Sequence, residues 1–151
     1  IRERTDVPII AAGGICDGPT MAAAFALGAE GVQLGTAMLS CADSPVHQNW
    51  KQAIYDGKET DTVFLNQQGR PALRAMRTGR TGELELLGQF QPFEHMANIL
   101  DLYFGGDLEA AIPLTGQVMG RIHESRSAAE VVTSTMEGFH ACLAGLNASY
   151  S

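Results

Sequence analysis

The spacing of apolar positions changes along the chain, and each change predicts an element. Residues 7–12 (VPIIAA) form a short unbroken apolar run that stops at Gly13-Gly14, as in a strand covered on both faces. Asp17-Gly18-Pro19-Thr20 then gathers turn and helix-start residues. The helix formers Met21 to Leu27 follow, and Gly28 stands where a closing glycine belongs. Gly31 to Leu34 (GVQL) reads as a second short strand, ending at Gly35-Thr36. Strand, glycine turn, helix and strand in this compass make a βαβ unit with parallel strands and a right-handed crossover.

Beyond Thr36 the text turns helical. Ala37 to Cys41 allows one helical turn. Asp43-Ser44-Pro45 offers cap residues with a proline for the first helical position, so a helix is expected from Val46 to about Tyr55, stopping at Gly57. Asp61 to Asn66 (DTVFLN) alternates as a strand, and Gln68 to Pro71 is a turn. Ala72 to Arg77 is expected to be helical, with Arg74 and Arg77 on one side, and the glycine-rich Thr78 to Gly88 to be loop. Phe93 to Phe104 predicts a helix with Met96, Ile99, Leu100 and Tyr103 on one stripe, and Asp107 would cap a short helix through Ile112. Ser127-Ala128-Ala129-Glu130 has the form of a capping box. It opens a final helix through Asn147 that carries Val131, Val132, Met136, Phe139 and Leu143.

Composition narrows what such a chain can do. Its 151 residues, 45% of them hydrophobic, suffice for a core, but a complete eight-stranded β/α barrel usually needs about 250. The first residue is Ile1, directly before a strand-like run, so an upstream segment is expected to precede it. A net charge of −7 with no basic stripe argues against nucleic acid as a partner. No apolar run is long enough for a membrane span. Cys16, Cys41 and Cys142 are odd in number and widely spaced, matching neither a disulfide framework nor a zinc site, and a reducing, cytoplasmic setting is expected.

The candidate chemistry lies in the two glycine turns. Gly13-Gly14 and Gly35-Thr36 each end a predicted parallel strand one repeat apart, so they should stand side by side on one rim of the sheet. Glycine lets a ligand approach the backbone, helix N-termini present free N–H groups, and Thr36 adds a hydroxyl. Neither turn holds Lys or Arg, so an anion would be held by amides. Two tight turns in an ordinary Rossmann-like sheet would read the same way. Cys16 follows the first turn, where helix amides could lower its pKa, although a packing role fits a small residue better. None of the four histidines, His47, His95, His123 and His140, has the neighbours of a catalytic triad or metal-ligand spacing, so neither catalytic nor metal residues are assigned.

The stretch VPIIAAGGICDGPTMAAAFALGAEGVQLGTAML, residues 7–39, resembles the last two βα units of the nitronate monooxygenase (2-nitropropane dioxygenase) family. It is similar also to the flavin-dependent enoyl-acyl-carrier-protein reductases of the same superfamily. The likeness continues through His47, Trp50-Lys51, Asp61-Thr62, Pro71 to Arg74 and Gly116 to Ile122. The resemblance implies an α/β fold: the C-terminal part of a (β/α)8 TIM barrel, with residues 1–40 as its last two βα units. A mostly helical second domain would span 41–115, and a helical segment over 116–151 would return to the barrel. It implies FMN as cofactor, with Gly14 and the run Gln33, Leu34, Gly35 and Thr36 at its phosphate and Gly13 permitting the turn. The activity implied is oxidation of an alkyl nitronate with oxygen to a carbonyl compound and nitrite. The family's catalytic histidine falls upstream of this sequence, so the chain is expected to contribute to a site without completing one. An enoyl-acyl-carrier-protein reductase using NAD(P)H, and an inactive fragment associating through open strand edges into oligomers, stand as alternatives.

Overall fold

The computed structural model describes residues 2–150; Ile1 and Ser151 lie outside them. The chain is an α/β structure that begins with the expected βαβ unit. Strand β1 (Ile10–Ala12) pairs in parallel with β2 (Gly31–Gln33), Ala12 beside Gln33. Helix α1 (Gly18–Ala26) connects them and starts where local chemistry dictates. The Asp17 carboxylate accepts from the Thr20 amide at 2.9 Å, and the Thr20 hydroxyl accepts from the Asp17 amide at 3.1 Å. This reciprocal cap satisfies donors that no helical carbonyl can reach. Gly28, at φ +94°, follows the helix in a conformation that only glycine adopts cheaply.

The closing helix α6 (Ala128–Tyr150) packs along α1. Its start is the expected Ser127–Glu130 capping box, with the Ser127 amide donating to Glu130 at 2.7 Å and the Glu130 amide to Ser127 at 3.2 Å. A further cap was not foreseen. Asp43 accepts from the Ala128 amide at 2.6 Å across 85 residues of sequence. Asp43 therefore does not cap the helix that follows it. That helix, α3 (Gln48–Asp56), is capped by the His47 ring, whose Nδ1 accepts from Asn49 at 3.1 Å.

The main core lies between the short helix α2 (Thr36–Leu39), α3 and the 3-10 turn Gln117–Arg121, around Trp50, Ile54, Leu102 and Met119. Helix α5 (Ile99–Tyr103) closes over it. The helix expected from Phe93 to Phe104 is split into a 3-10 turn, Pro92–Met96, and α5, and Leu100 points out at 67% exposure while Met96, Ile99 and Tyr103 pack inward. The break between the two turns rotates Leu100 off the stripe. Asp107 caps no helix; its carboxylate accepts from the Glu109 amide two residues on, at 2.9 Å, in a local turn.

Two other expectations are overturned. Residues 73–76, read as helix, form strand β4 (Leu73–Met76), antiparallel to β3 (Thr62–Leu65). Leu, Arg, Ala and Met are good helix formers, but here both edges of the strand are bonded: β3 lies on one side, and on the other Met76 donates to Pro113 at 2.9 Å and Thr115 to Arg74 at 3.3 Å. Pairing on both edges overrides intrinsic propensity. Residues 78–88, read as loop, hold helix α4 (Gly79–Leu87), which has its own capping box, Thr78 with Thr81. The Glu109 carboxylate adds bonds from the Gly79 and Arg80 amides at 2.9 and 2.8 Å. Buried Leu84 seats α4 on the Val63, Leu65 and Ala75 face of the hairpin. Residues 41–115, expected to be mostly helical, thus include an antiparallel hairpin.

Candidate functional site

Parallel pairing in register carries the two glycine turns to the same end of the β1–β2 pair, and both line one cleft of about 350 Å³. Gly13, Gly14, Gln33, Gly35 and Thr36 all reach it. Leu34 does not: its side chain packs on the cores behind the sheet, as strand alternation requires. A larger groove, about 460 Å³, runs along the other flank of β1 and α1. It shares Gly13 and Gly14 but not the second turn, and small apolar side chains such as Ala11, Ala23 and Ala24 dominate it.

The backbone at the cleft is shaped for close approach. Gly13 and Gly14 sit at φ +90° and +75°, where side chains are strained. Gly35, at φ −93° and ψ −77°, needs no glycine for its own conformation, and a Cβ built there meets nothing within 4 Å. Internal packing therefore does not account for that glycine, whereas an approaching ligand would. Among the described residues, the amides of Gly14 and Gly35 have no acceptor within the protein. The Thr36 amide, first in α2, has none inside its helix. Thr36 is 8% exposed, and its hydroxyl oxygen accepts from the Gly116 amide at 2.9 Å, leaving its own proton to donate into the cleft.

The other wall was only partly anticipated. Trp50, fully buried, donates its indole N–H to the Thr115 hydroxyl at 3.1 Å and meets the Tyr103 ring edge-on at 5.1 Å. Thr115 and Tyr103 both line the cleft, and Gly116 completes the wall. Buried Lys51 donates to the Ala42 and Ser44 carbonyls, at 3.2 and 2.7 Å, and so fixes the link from α2 to α3. The side chain that sequence reasoning undervalued is Arg74. Helical spacing grouped it with Arg77, but on a strand neighbouring residues diverge. Arg77 pairs with Glu85 at 3.0 Å on the outside, while Arg74 turns to the cleft.

Helix α1 does not offer its N-terminus to a ligand, because Asp17 occupies it and is itself paired with Arg121. Burial works against ionisation of Asp17, but Thr20 and Arg121 outweigh it and hold the carboxyl below its usual pKa. Cys16 runs opposite to the expectation of a lowered pKa. Burial, reinforced by the neighbouring Asp17 charge, pushes its thiol up, and it is a packing residue. The histidines serve elsewhere. His47 caps α3, His95 packs on Phe90, His123 sits 3.3 Å from the Tyr55 carbonyl and His140 lies against Phe139. Among the described residues no group of three or more His, Cys, Asp or Glu could hold a metal, and no helix is long and apolar enough to cross a membrane.

Two backbone turns brought together at one end of a parallel strand pair, beside one cleft, mark the chain as an α/β protein with the form of an anion cradle. Comparison with known proteins narrows the class. The nitronate monooxygenase family model matches residues 1–138, and the chain belongs to that family. A Staphylococcus saprophyticus protein described as "Probable nitronate monooxygenase" is 49% identical over 71 residues, 46% of this chain and 20% of that protein. Among solved structures, FabK from Thermotoga maritima aligns over 98% of this chain and 49% of its own, with 30% identity and a TM-score of 0.88. Nitroalkane oxidase from Streptomyces ansochromogenes aligns over 96% of this chain and 43% of its own, with 25% identity and a TM-score of 0.80. The chain thus spans about half the length of its structural relatives and a smaller share of the staphylococcal protein.

Proposed function

We propose that this chain forms the phosphate end of an FMN site in a flavin-dependent oxidoreductase that oxidises alkyl nitronates with oxygen. The observation that carries the reading is the convergence of both glycine turns on one cleft, with unpaired amides and open space at Gly35. The residues present fit a phosphate monoester. The Gly14, Gly35 and Thr36 amides would donate to its oxygens, joined by the Thr36 hydroxyl, and Gly13 lets the turn form. Bound FMN would supply the electron-accepting chemistry. This chain's own part is binding and exclusion of water, since none of its histidines lines the cleft.

In this reading β1 and β2 are the last two strands of a (β/α)8 barrel, formed by residues 1–40. Residues 41–115 make a second domain over the strand ends, and 116–151 return to the barrel. The return is supported by contacts: the Gly116 amide on Thr36, Arg121 on Asp17, and α6 on α1. Further strands beside β1 are supported by the 67% exposure of Ile10 on that strand. Equilibrium dialysis of FMN against the chain tests the site. Micromolar binding with both turns intact is expected, and no binding at millimolar FMN refutes it.

The second reading, a flavin-dependent enoyl-acyl-carrier-protein reductase, is favoured by the higher TM-score with FabK, 0.88 against 0.80. Nitronate-dependent oxygen uptake supports the first reading, and NADH oxidation that depends on an enoyl thioester supports the second.

A further inference from the structure

The hairpin register explains why Arg74 stands where it does. In β3–β4, Arg74 lies directly opposite Phe64 and diagonally from Thr62, on the face away from Val63, Leu65 and Ala75. Both neighbours hold it. Its guanidinium carbon sits 5.3 Å from the centre of the Phe64 ring, and one terminal nitrogen donates to the Thr62 hydroxyl at 3.0 Å. The half-buried guanidinium is thus held by a ring and a neutral hydroxyl, and neither cancels its charge. Among the described residues no carboxylate lies within ion-pair distance of it, in contrast to Arg2, Arg77, Arg121 and Arg126. Arg74 is also the one charged side chain among the described residues that line the cleft shared by the two glycine turns.

A fixed cation without a counter-ion, in the same cleft as unpaired amides, leaves the site short of negative charge. We infer that Arg74 is the cationic arm of this anion site, pairing with a phosphate monoester held by the amides and thereby selecting FMN over riboflavin. This deepens the proposed function and rests on it. The remaining guanidinium N–H groups are free to donate, and a planar fork matches two phosphate oxygens better than an ammonium does. Amides alone recognise an anion; the added full charge favours the doubly charged phosphate and makes its binding sensitive to salt.

The test compares FMN, riboflavin and inorganic phosphate on the unaltered chain and on Arg74→Gln and Arg74→Lys. Dialysis follows the flavins, and NMR shifts of the Gly14, Gly35 and Thr36 amides and of Arg74 Nε follow phosphate. Arg74→Gln should weaken FMN by about tenfold or more and flatten its salt dependence, leaving riboflavin unchanged, while Arg74→Lys recovers part of the loss. Phosphate should move the turn amides and Arg74 Nε together. Parallel loss of FMN and riboflavin in Arg74→Gln would mean that the residue only supports the hairpin, and the inference falls. Unchanged FMN affinity in Arg74→Gln, beside a loss in Gly35→Ala, overturns the inference and leaves the FMN reading standing. If the unaltered chain prefers FMN no more than riboflavin and phosphate shifts no turn amide, the FMN reading falls and takes this inference with it.

Discussion

Replacing Gly35 with alanine should separate folding from binding. The backbone there, at φ −93° and ψ −77°, lies within reach of an L-residue, and the new methyl would touch nothing within 4 Å. Gly→Ala gains about 0.4–1 kcal/mol by restricting the unfolded chain. Alanine is a poorer N-cap than glycine, at a cost of roughly the same size. Stability in urea should therefore stay within about 1 kcal/mol of the parent. Binding should not. The methyl occupies the space that the Gly35 and Thr36 amides need for a charged acceptor, and hydrogen bonds to charged groups contribute about 1.5–3 kcal/mol each. Losing two costs at least about 3 kcal/mol, roughly a hundredfold in Kd. Dialysis against FMN reads the binding, and urea melts of the same preparation read the fold. Gly14→Ala is the control. At φ +75° it adds about 1–2 kcal/mol of backbone strain, so both readouts should fall. A Gly35→Ala protein that keeps parental FMN affinity and parental stability would refute the cradle.

Other consequences concern the frame around the site. In Gly18→Ala the Cβ would lie 2.1 Å from the Gly138 carbonyl carbon, backbone that cannot swing aside. The urea midpoint should drop by the equivalent of about 2–3 kcal/mol or more. The reverse change, Gly138→Ala, places its Cβ 3.4 Å from Gly18 Cα, an ordinary contact, and adds helix propensity of about 0.8–1 kcal/mol. It should be neutral or stabilising, and equal destabilisation by the two would contradict the packing. Asp43→Ala removes the long-range cap on α6 and should cost about 0.5–1 kcal/mol in the same melt. The folded-state pKa of Asp17 is depressed, so its stabilisation is present above the unfolded value of about 3.9 and disappears as pH falls through the folded one. Asp17→Asn should therefore destabilise the protein at neutral pH, with the gap to the parent closing as the pH falls below the unfolded carboxylate range. A gap constant across that range would contradict the linkage.

The elements legible in the sequence are those whose determinants are local. The Asp17–Thr20 box and Gly28 bracket α1 within a dozen residues, and Ser127 with Glu130 opens α6. The glycine turns were legible as a pair because equivalent positions of consecutive βα repeats share a rim. The elements that were not legible depend on distant partners. The identity of β4 comes from β3 and residues 113–115, and its own helix formers argue the other way. The box that starts α4 uses Thr81 where Glu or Gln is the usual signal, and Gly79 and Gly82 read as loop. Asp43 looked like a local cap because nothing near it in sequence points to Ala128. Arg74 stayed ambiguous for the same reason: once its segment is a strand, it and Arg77 face opposite ways.

Trp50 is the protein's single tryptophan, and it is sealed in the core with Thr115 and Tyr103 as its links to the cleft. Its emission should be blue-shifted and shielded from quenchers dissolved in the medium. An isoalloxazine docked nearby would absorb that emission by resonance transfer. The molecule therefore carries its own optical gauge, in which occupancy can be followed as dimming of one indole, with no label attached.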